Sequence, residues 1–213
     1  RLHNRHRAIT MRDYEELVLE HFPEVDKAQC IAIPQENALL GICIVVFSCA
    51  EDSRYFLSSA WKLEEIRRAV SRYTSPFVTV KVVNPQYEKI EVYCRVVLRD
   101  NPQRYESKVL RQLVVLAQNC IAPWYRKREI PDSGQSFSYK ELHARMVNHE
   151  DLLRLVLLEV DGVSLPDVDV ETEDHVFKGS KPWSILLPEI KIELLSPGDG
   201  IEKAEIGGNF IIK

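Results

Sequence analysis

Between residues 10 and 22 the apolar positions Tyr14, Leu17, Val18 and Phe22 recur every three to four residues, the period of one helical face. Thr10 stands where its hydroxyl can accept from the unpaired amides of a first turn, Asp13 suits the positive end of the helix dipole, and Pro23 stops the pattern. The period then shortens. Residues 27–34 and 39–48 read as strands, and the PQENA segment between them predicts a tight reversal and an antiparallel hairpin. Helical spacing returns over residues 61–73, with Leu63, Ile66, Val70 and Tyr73 on one face and Glu64, Glu65, Arg67 and Arg68 on the other. Residues 77–83 and 89–98 are again strand-like, the latter alternating Ile90, Val92, Cys94, Val96 and Leu98 against more polar neighbours. The order α-β-β-α-β-β predicts two helices over one face of an antiparallel sheet of three or four strands. That is an α+β sandwich of ferredoxin-like character, placed as a first domain over residues 1–100.

The second half, residues 101–213, is expected to form another small α+β domain with a β-rich C-terminal extension. In the helix predicted over residues 105–120, Val109, Leu110, Leu113, Val114, Leu116 and Ala117 spread too widely around the axis for a simple surface helix. Burial on more than one side is therefore expected. After Pro123 and Trp124 the polar stretch YRKREIPDSGQS reads as a loop, and Ser138 followed by Glu141 announces a helix with Leu142, Met146 and Val147 on its core face. Residues 152–160 suit either a short helix or a strand, and helix is favoured because Asp161 and Gly162 follow as a stop. Beyond them, residues 168–170, 183–187, 190–195 and 210–212 are strand-like, separated by SLPD, KGSKP and SPGDG. Neither an internal repeat nor a low-complexity stretch interrupts the chain.

Composition narrows the function classes. With 45% hydrophobic and 28% charged residues the chain belongs with ordinary globular proteins, and a formal net charge of -4 supplies no global attraction to nucleic acid or an anionic membrane. No apolar run reaches the ~20 residues of a membrane-spanning helix; the longest, residues 42–47, is strand-sized. The opening RLHNRHR, a basic tip suited to a solvated end, lacks an initiating Met and is expected to belong to a longer or processed chain. Five cysteines without a CxxC pair (Cys30, Cys43, Cys49, Cys94 and Cys120) suit reduced core fillers better than disulfides or a metal finger.

Catalytic signatures are missing from the sequence: it has no GxSxG, GxxxxGK[ST], HExxH or GxGxxG segment. His143 and His149, six residues apart, fall on opposite flanks of a helix, and the pairs Glu64 with Glu65 and Glu159 with Asp161 diverge rather than converge. No catalytic, metal-binding or cofactor-binding residue is thus expected. The strongest candidate for chemistry is an interaction loop in which Trp124 and Tyr125 adjoin Arg126, Lys127 and Arg128, aromatics beside cations of the kind found at interfaces. Its bland counterpart has Trp124 covering the end of the preceding helix while the cations face water. Trp183, at the start of an apolar run, reads as a core anchor.

Several phrases resemble the baseplate J-like proteins. RAIT with Asp13 and Tyr14, then FPEV with Ala28 and Cys30, is similar to that family's Arg-Ala-Val-Thr-x-x-Asp-Tyr phrase before a helix and a Pro-Gly-Val-like turn, with Glu24 standing where a glycine is common. NPQYEKIEVYCRVVL resembles its Pro-x-Tyr phrase and long strand, Gly134 to Ser138 its lead-in to a helix, VDGVSL its Val-x-Gly-Val turn, and KPWSILLPEIKI a Trp-containing closing strand. The resemblance covers residues 4–195 and implies the C-terminal part of a structural wedge protein of a contractile phage tail or bacterial injection system. It further implies packing without catalysis and without a cofactor, other baseplate subunits as partners, including sheath or tube-proximal components, and neither nucleic acid nor membrane. A bacterial or phage origin, assembly in the cytoplasm and a weakly associating or monomeric isolated chain follow from the same likeness. Two other classes stay open: a ligand-binding regulatory α+β module, disfavoured by the lack of a Gly-rich loop, and an enzyme with an unrecognised site, whose sign would be a deep pocket with perturbed titratable groups.

Overall fold

Helix α1 (Met11–His21) starts where the sequence places it: Asp13 N donates to the Thr10 hydroxyl at 3.2 Å, and the Asp13 carboxylate accepts from Thr10 N at 2.8 Å. The computed structural model describes residues 7–34, 40–49, 55–99, 106–127, 129–165 and 173–195. The hairpin forms as β1 (Lys27–Ile33) and β2 (Leu40–Phe47), antiparallel with Lys27 opposite Phe47. Helix α2 (Ala60–Ser71), capped by Ser59, then returns the chain so that β3 (Val78–Val83) lies parallel to β2. The sheet order is β1-β2-β3, and Ala28, Cys30, Ile42, Ile44 and Val46 meet Tyr14, Val18, Ile66 and Val70 of the two helices in one core.

The element order is the expected α-β-β-α-β-β, but the pairing is not. This sheet is mixed, because a helical crossover between β2 and β3 brings the second strand back in the same direction, and β4 (Gln86–Leu98) lies in a different sheet. The helices cover one face of this sheet, and its second face is met by later chain. Described residues of Arg1–Tyr87, Arg128–Gln135 and Gly179–Ile185 form one compact unit, and the two later segments return to that face. There Lys27 pairs with Asp132 and donates to Pro131 O at 3.2 Å, Gln29 accepts from Ser133 N at 2.9 Å, and Lys81 lies over the Trp183 ring at 5.1 Å. Gly134 joins the two returning segments by donating to Ser184 O at 3.0 Å. Its φ is +74°, and a Cβ there would stand 2.7 Å from the Pro182 carbonyl oxygen, so only glycine fits.

The second unit comprises the described residues of Glu88–Lys127, Ser136–Lys178 and Leu186–Lys213. Its elements are most of β4, α3 (Glu106–Ile121), α4 (Pro123–Lys127), β5 (Ser136–Ser138), α5 (Tyr139–Val147), β6 (Leu152–Val160), β7 (Val176–Lys178) and most of β8 (Ser184–Leu194). β4 is central, in the order β6-β4-β8, while β5 and β7 form a separate antiparallel pair with Phe137 and Phe177 stacked at 5.1 Å. Val109, Leu113, Ala117 and Ile121 of α3, with Leu142 and Met146 of α5, cover Ile90, Val92, Cys94 and Val96 of β4.

Residues 152–160 form strand β6, not a helix. The run pairs antiparallel with β4, from Val92 opposite Val160 to Leu98 opposite Leu152, and this long-range pairing outweighs the local stop signal that favours a helix. Asp161 and Gly162, taken above as a helix stop, are instead a two-residue hairpin turn with φ of 47° and 77°; Val163 N donates to Val160 O at 2.8 Å and Val160 N to Val163 O at 2.9 Å. The two strand-like runs at 183–187 and 190–195 merge into β8, which tolerates Pro188 because it is an edge strand. The expected strands at 168–170 and 210–212 and the basic tip lie outside the described residues. Among the described residues no helix is long and apolar enough to cross a membrane.

Candidate interaction surfaces

The loop predicted from residue 125 onward begins as a turn of helix. Pro123 takes its first position, where a missing N–H costs nothing, and Tyr125 N donates to Ala122 O at 3.1 Å. This turn carries Trp124 inward: its side chain is only 5% exposed and meets the Tyr125 ring edge-on at 5.7 Å. Tyr125 is half-buried, Arg126 and Lys127 are exposed, and Arg128 lies outside the described residues. Trp124 therefore fixes the turn while Arg126 and Lys127 face outward from it. Trp183 is half-buried, with the Lys81 and Lys181 ammonium groups 5.1 and 5.7 Å from its ring centre.

Several titratable groups away from this turn are engaged in structure. Burial pushes the thiols of Cys30 and Cys94 up to about 12 and that of Cys43 to about 11, which suppresses the reactive thiolate. Glu64 is held down to about 2 by hydrogen bonds from Arg67 and Arg68, whereas Glu65 turns to Lys62. His143 stacks on Tyr139 with ring centres 6.3 Å apart and is lowered by burial. Asp161 accepts from Glu91 N at 2.8 Å. Among the described residues no three His, Cys, Asp or Glu side chains converge as a metal site. Sequence reasoning did not single out Tyr139, whose buried hydroxyl donates to Leu158 O at 2.6 Å and accepts from Leu165 N at 3.3 Å, tying α5 to β6 and to the chain beyond the hairpin.

Each unit carries a surface depression among its described residues. In the first, Trp61 stands 72% exposed beside Glu64, Glu65 and Arg68 at a hollow of about 320 Å³. In the second, a groove of about 660 Å³ runs between α3 and α5, walled by Lys108, Arg111, Arg145 and His149 over Val115 and Leu116. Arg145 is held by Glu141 at 2.6 Å. Sequence reading passed over this second surface, although the signal was present: Lys108, Arg111 and Val115 at spacings of three and four share one helical stripe.

No family model and no curated protein matches the chain. A chain of the six-fold symmetrised cryo-EM structure of the anti-feeding prophage baseplate has a similar fold, with a TM-score of 0.58 and 18% identity over 87% of this chain and 38% of that one. The present chain thus spans well under half the length of that neighbour. At this identity the likeness is one of fold.

Proposed function

We propose that this chain is a structural component of a contractile injection or tail-like particle, a baseplate wedge subunit of the baseplate J-like kind that works by packing against neighbouring subunits without catalysis. The observation that carries the reading is the shared fold with the anti-feeding prophage baseplate chain across 87% of the sequence. The run of baseplate J-like phrases from RAIT to KPWSILLPEIKI adds independent support. The buried, raised thiols and the carboxylates committed to Arg and Lys partners fit a body built for packing. On this reading the partners are other baseplate subunits, assembly takes place in the cytoplasm of a bacterial host, and the chain alone is a monomer or weak oligomer. Arg126, which faces outward beside Trp124 and Tyr125, contributes a docking contact together with Arg128, two residues on in sequence.

The experiment is co-purification of the tagged protein from cells expressing its neighbouring genes, alongside the Arg126→Ala, Arg128→Ala double variant and thermal melts of both. Wild type is expected to bring down sheath, tube or wedge components, and the variant to lose them with an unchanged melt, since exposed charges seldom contribute more than about 1 kcal/mol to stability. Wild type recovering no such component overturns the baseplate reading. Equal assembly by the variant removes the Trp124 turn as a contact.

A further inference from the structure

We infer that the groove between α3 and α5 docks an acidic, amphipathic helical segment of a partner protein. Its walls hold Lys108, Arg111, His149 and Arg145, the last ion-paired with Glu141, so Lys108 and Arg111 supply its uncompensated charge, on a chain whose formal net charge is -4. The groove is a local positive exception. Lys108 and Arg111 make no ion pair among the described residues, and both sit in the first two turns of α3, where the helix dipole disfavours cations and favours an approaching anion.

The floor separates this occupant from a small anion or a nucleic acid. Val115 and Leu116 supply aliphatic surface, for which inorganic phosphate has no use, and among the described residues no Phe, Tyr or Trp lines the groove as a stacking platform for bases. Val115 and Leu116, the two apolar residues of the groove, are half-buried. An apolar stripe bordered by cations is the complement of a helix with an apolar face bordered by carboxylates. The length agrees: from Lys108 to Asn119 the groove follows α3 for about 16 Å, roughly three turns of a docked helix. The inference stands apart from the baseplate reading, because it concerns binding by the chain alone; within that reading the segment belongs to a neighbouring subunit.

The test is fluorescence anisotropy on the isolated protein with a fluorescein-labelled, three-turn helical peptide presenting Leu on one face and Glu along its borders. Controls replace every Glu by Lys, or every Leu by Ser, and an oligo-dT of similar charge is run in parallel. The Glu/Leu peptide is expected to bind at micromolar concentration, more weakly as salt rises, and at least tenfold more weakly to the Lys108→Glu, Arg111→Glu variant and to Val115→Asp. The milder Lys108→Gln, Arg111→Gln pair, checked by thermal melt, serves if charge reversal disturbs folding. Absence of binding, binding that ignores these substitutions, or equal binding of the Leu-to-Ser peptide or the oligonucleotide overturns the proposal. These results are independent of whether the chain co-purifies with baseplate components, so the two readings fail separately.

Discussion

Strand β2 and helix α3 pose the same problem and solve it differently. Both are apolar on more than one side, β2 through Ile42, Cys43, Ile44, Val45, Val46 and Phe47, and α3 through its Leu and Val residues. In β2 all six of those side chains are buried. Ile42, Ile44 and Val46 face α1 and α2, while on the opposite face of the sheet the chain returns twice, at residues 129–135 and 179–185, to meet Lys27, Gln29 and Lys81. In α3 only the Val109, Leu113, Ala117 and Ile121 stripe is fully covered, and Leu110, Val114 and Val115 keep part of their surface in water. An apolar excess around an element thus signals a second contact without saying whose. For β2 the chain supplies it, and for α3 the described residues leave a groove walled by Lys108 and Arg111.

The largest expected difference is in thiol access, since one cysteine marks each element. Cys43 on β2 is fully buried and raised to about 11, whereas Cys120 on α3 is half-buried. With a disulfide reagent at pH 8 and labelled sites read by mass spectrometry, exposed Cys49 should react first and Cys120 next. Cys43 should lag by about 1000-fold or more, because it waits for global unfolding. Comparable rates for Cys43 and Cys120 would erase the contrast.

Truncation should reproduce the ranking in stability. Phe47→Ala removes a ring with no exposure that packs edge-on against Phe56 at 6.5 Å, and a loss of about 3–5 kcal/mol in denaturant unfolding is expected. Gly134→Ala tests the cover rather than the strand: strain at φ +74° and contact with the Pro182 carbonyl should cost about 1–3 kcal/mol and loosen the returning segments. In the second unit, Ser138→Ala deletes the oxygen that accepts from Glu141 N at 3.1 Å and should cost about 1 kcal/mol by weakening the start of α5. Val115→Ala on the open side of α3 should change stability by less than about 0.5 kcal/mol. A loss there as large as that at Phe47 would mean that α3 is as fully covered as β2.

The candidate surfaces were legible in the sequence to different degrees. Clustering of aromatics with Arg drew attention to Trp124, but hydrophobic burial turned that side chain inward, so its neighbours Arg126 and Lys127 present the exposed part. The α3 groove escaped notice because its opposite wall, Arg145 of α5 and His149 just beyond it, lies about thirty residues away in sequence, and periodicity within one helix cannot reveal what stands opposite.

What the sequence determined by itself was local: the Thr10 and Ser138 helix starts, the β1-β2 hairpin, the α2 face, and the α+β class, because caps and periodicities act over a few residues. Only tertiary structure decided the rest. Residues 152–160 became a strand because β4 offered a ladder of hydrogen bonds, and the same Asp161-Gly162 pair that would end a helix closed a hairpin instead. β4 itself left the first sheet because its alternating apolar face is matched by α3, α5 and β6, and the second face of β1-β2-β3 was closed by segments arriving from far along the chain. Such choices turn on which distant surface removes the most apolar area from water. That quantity belongs to pairs of elements, and no single stretch of sequence contains it.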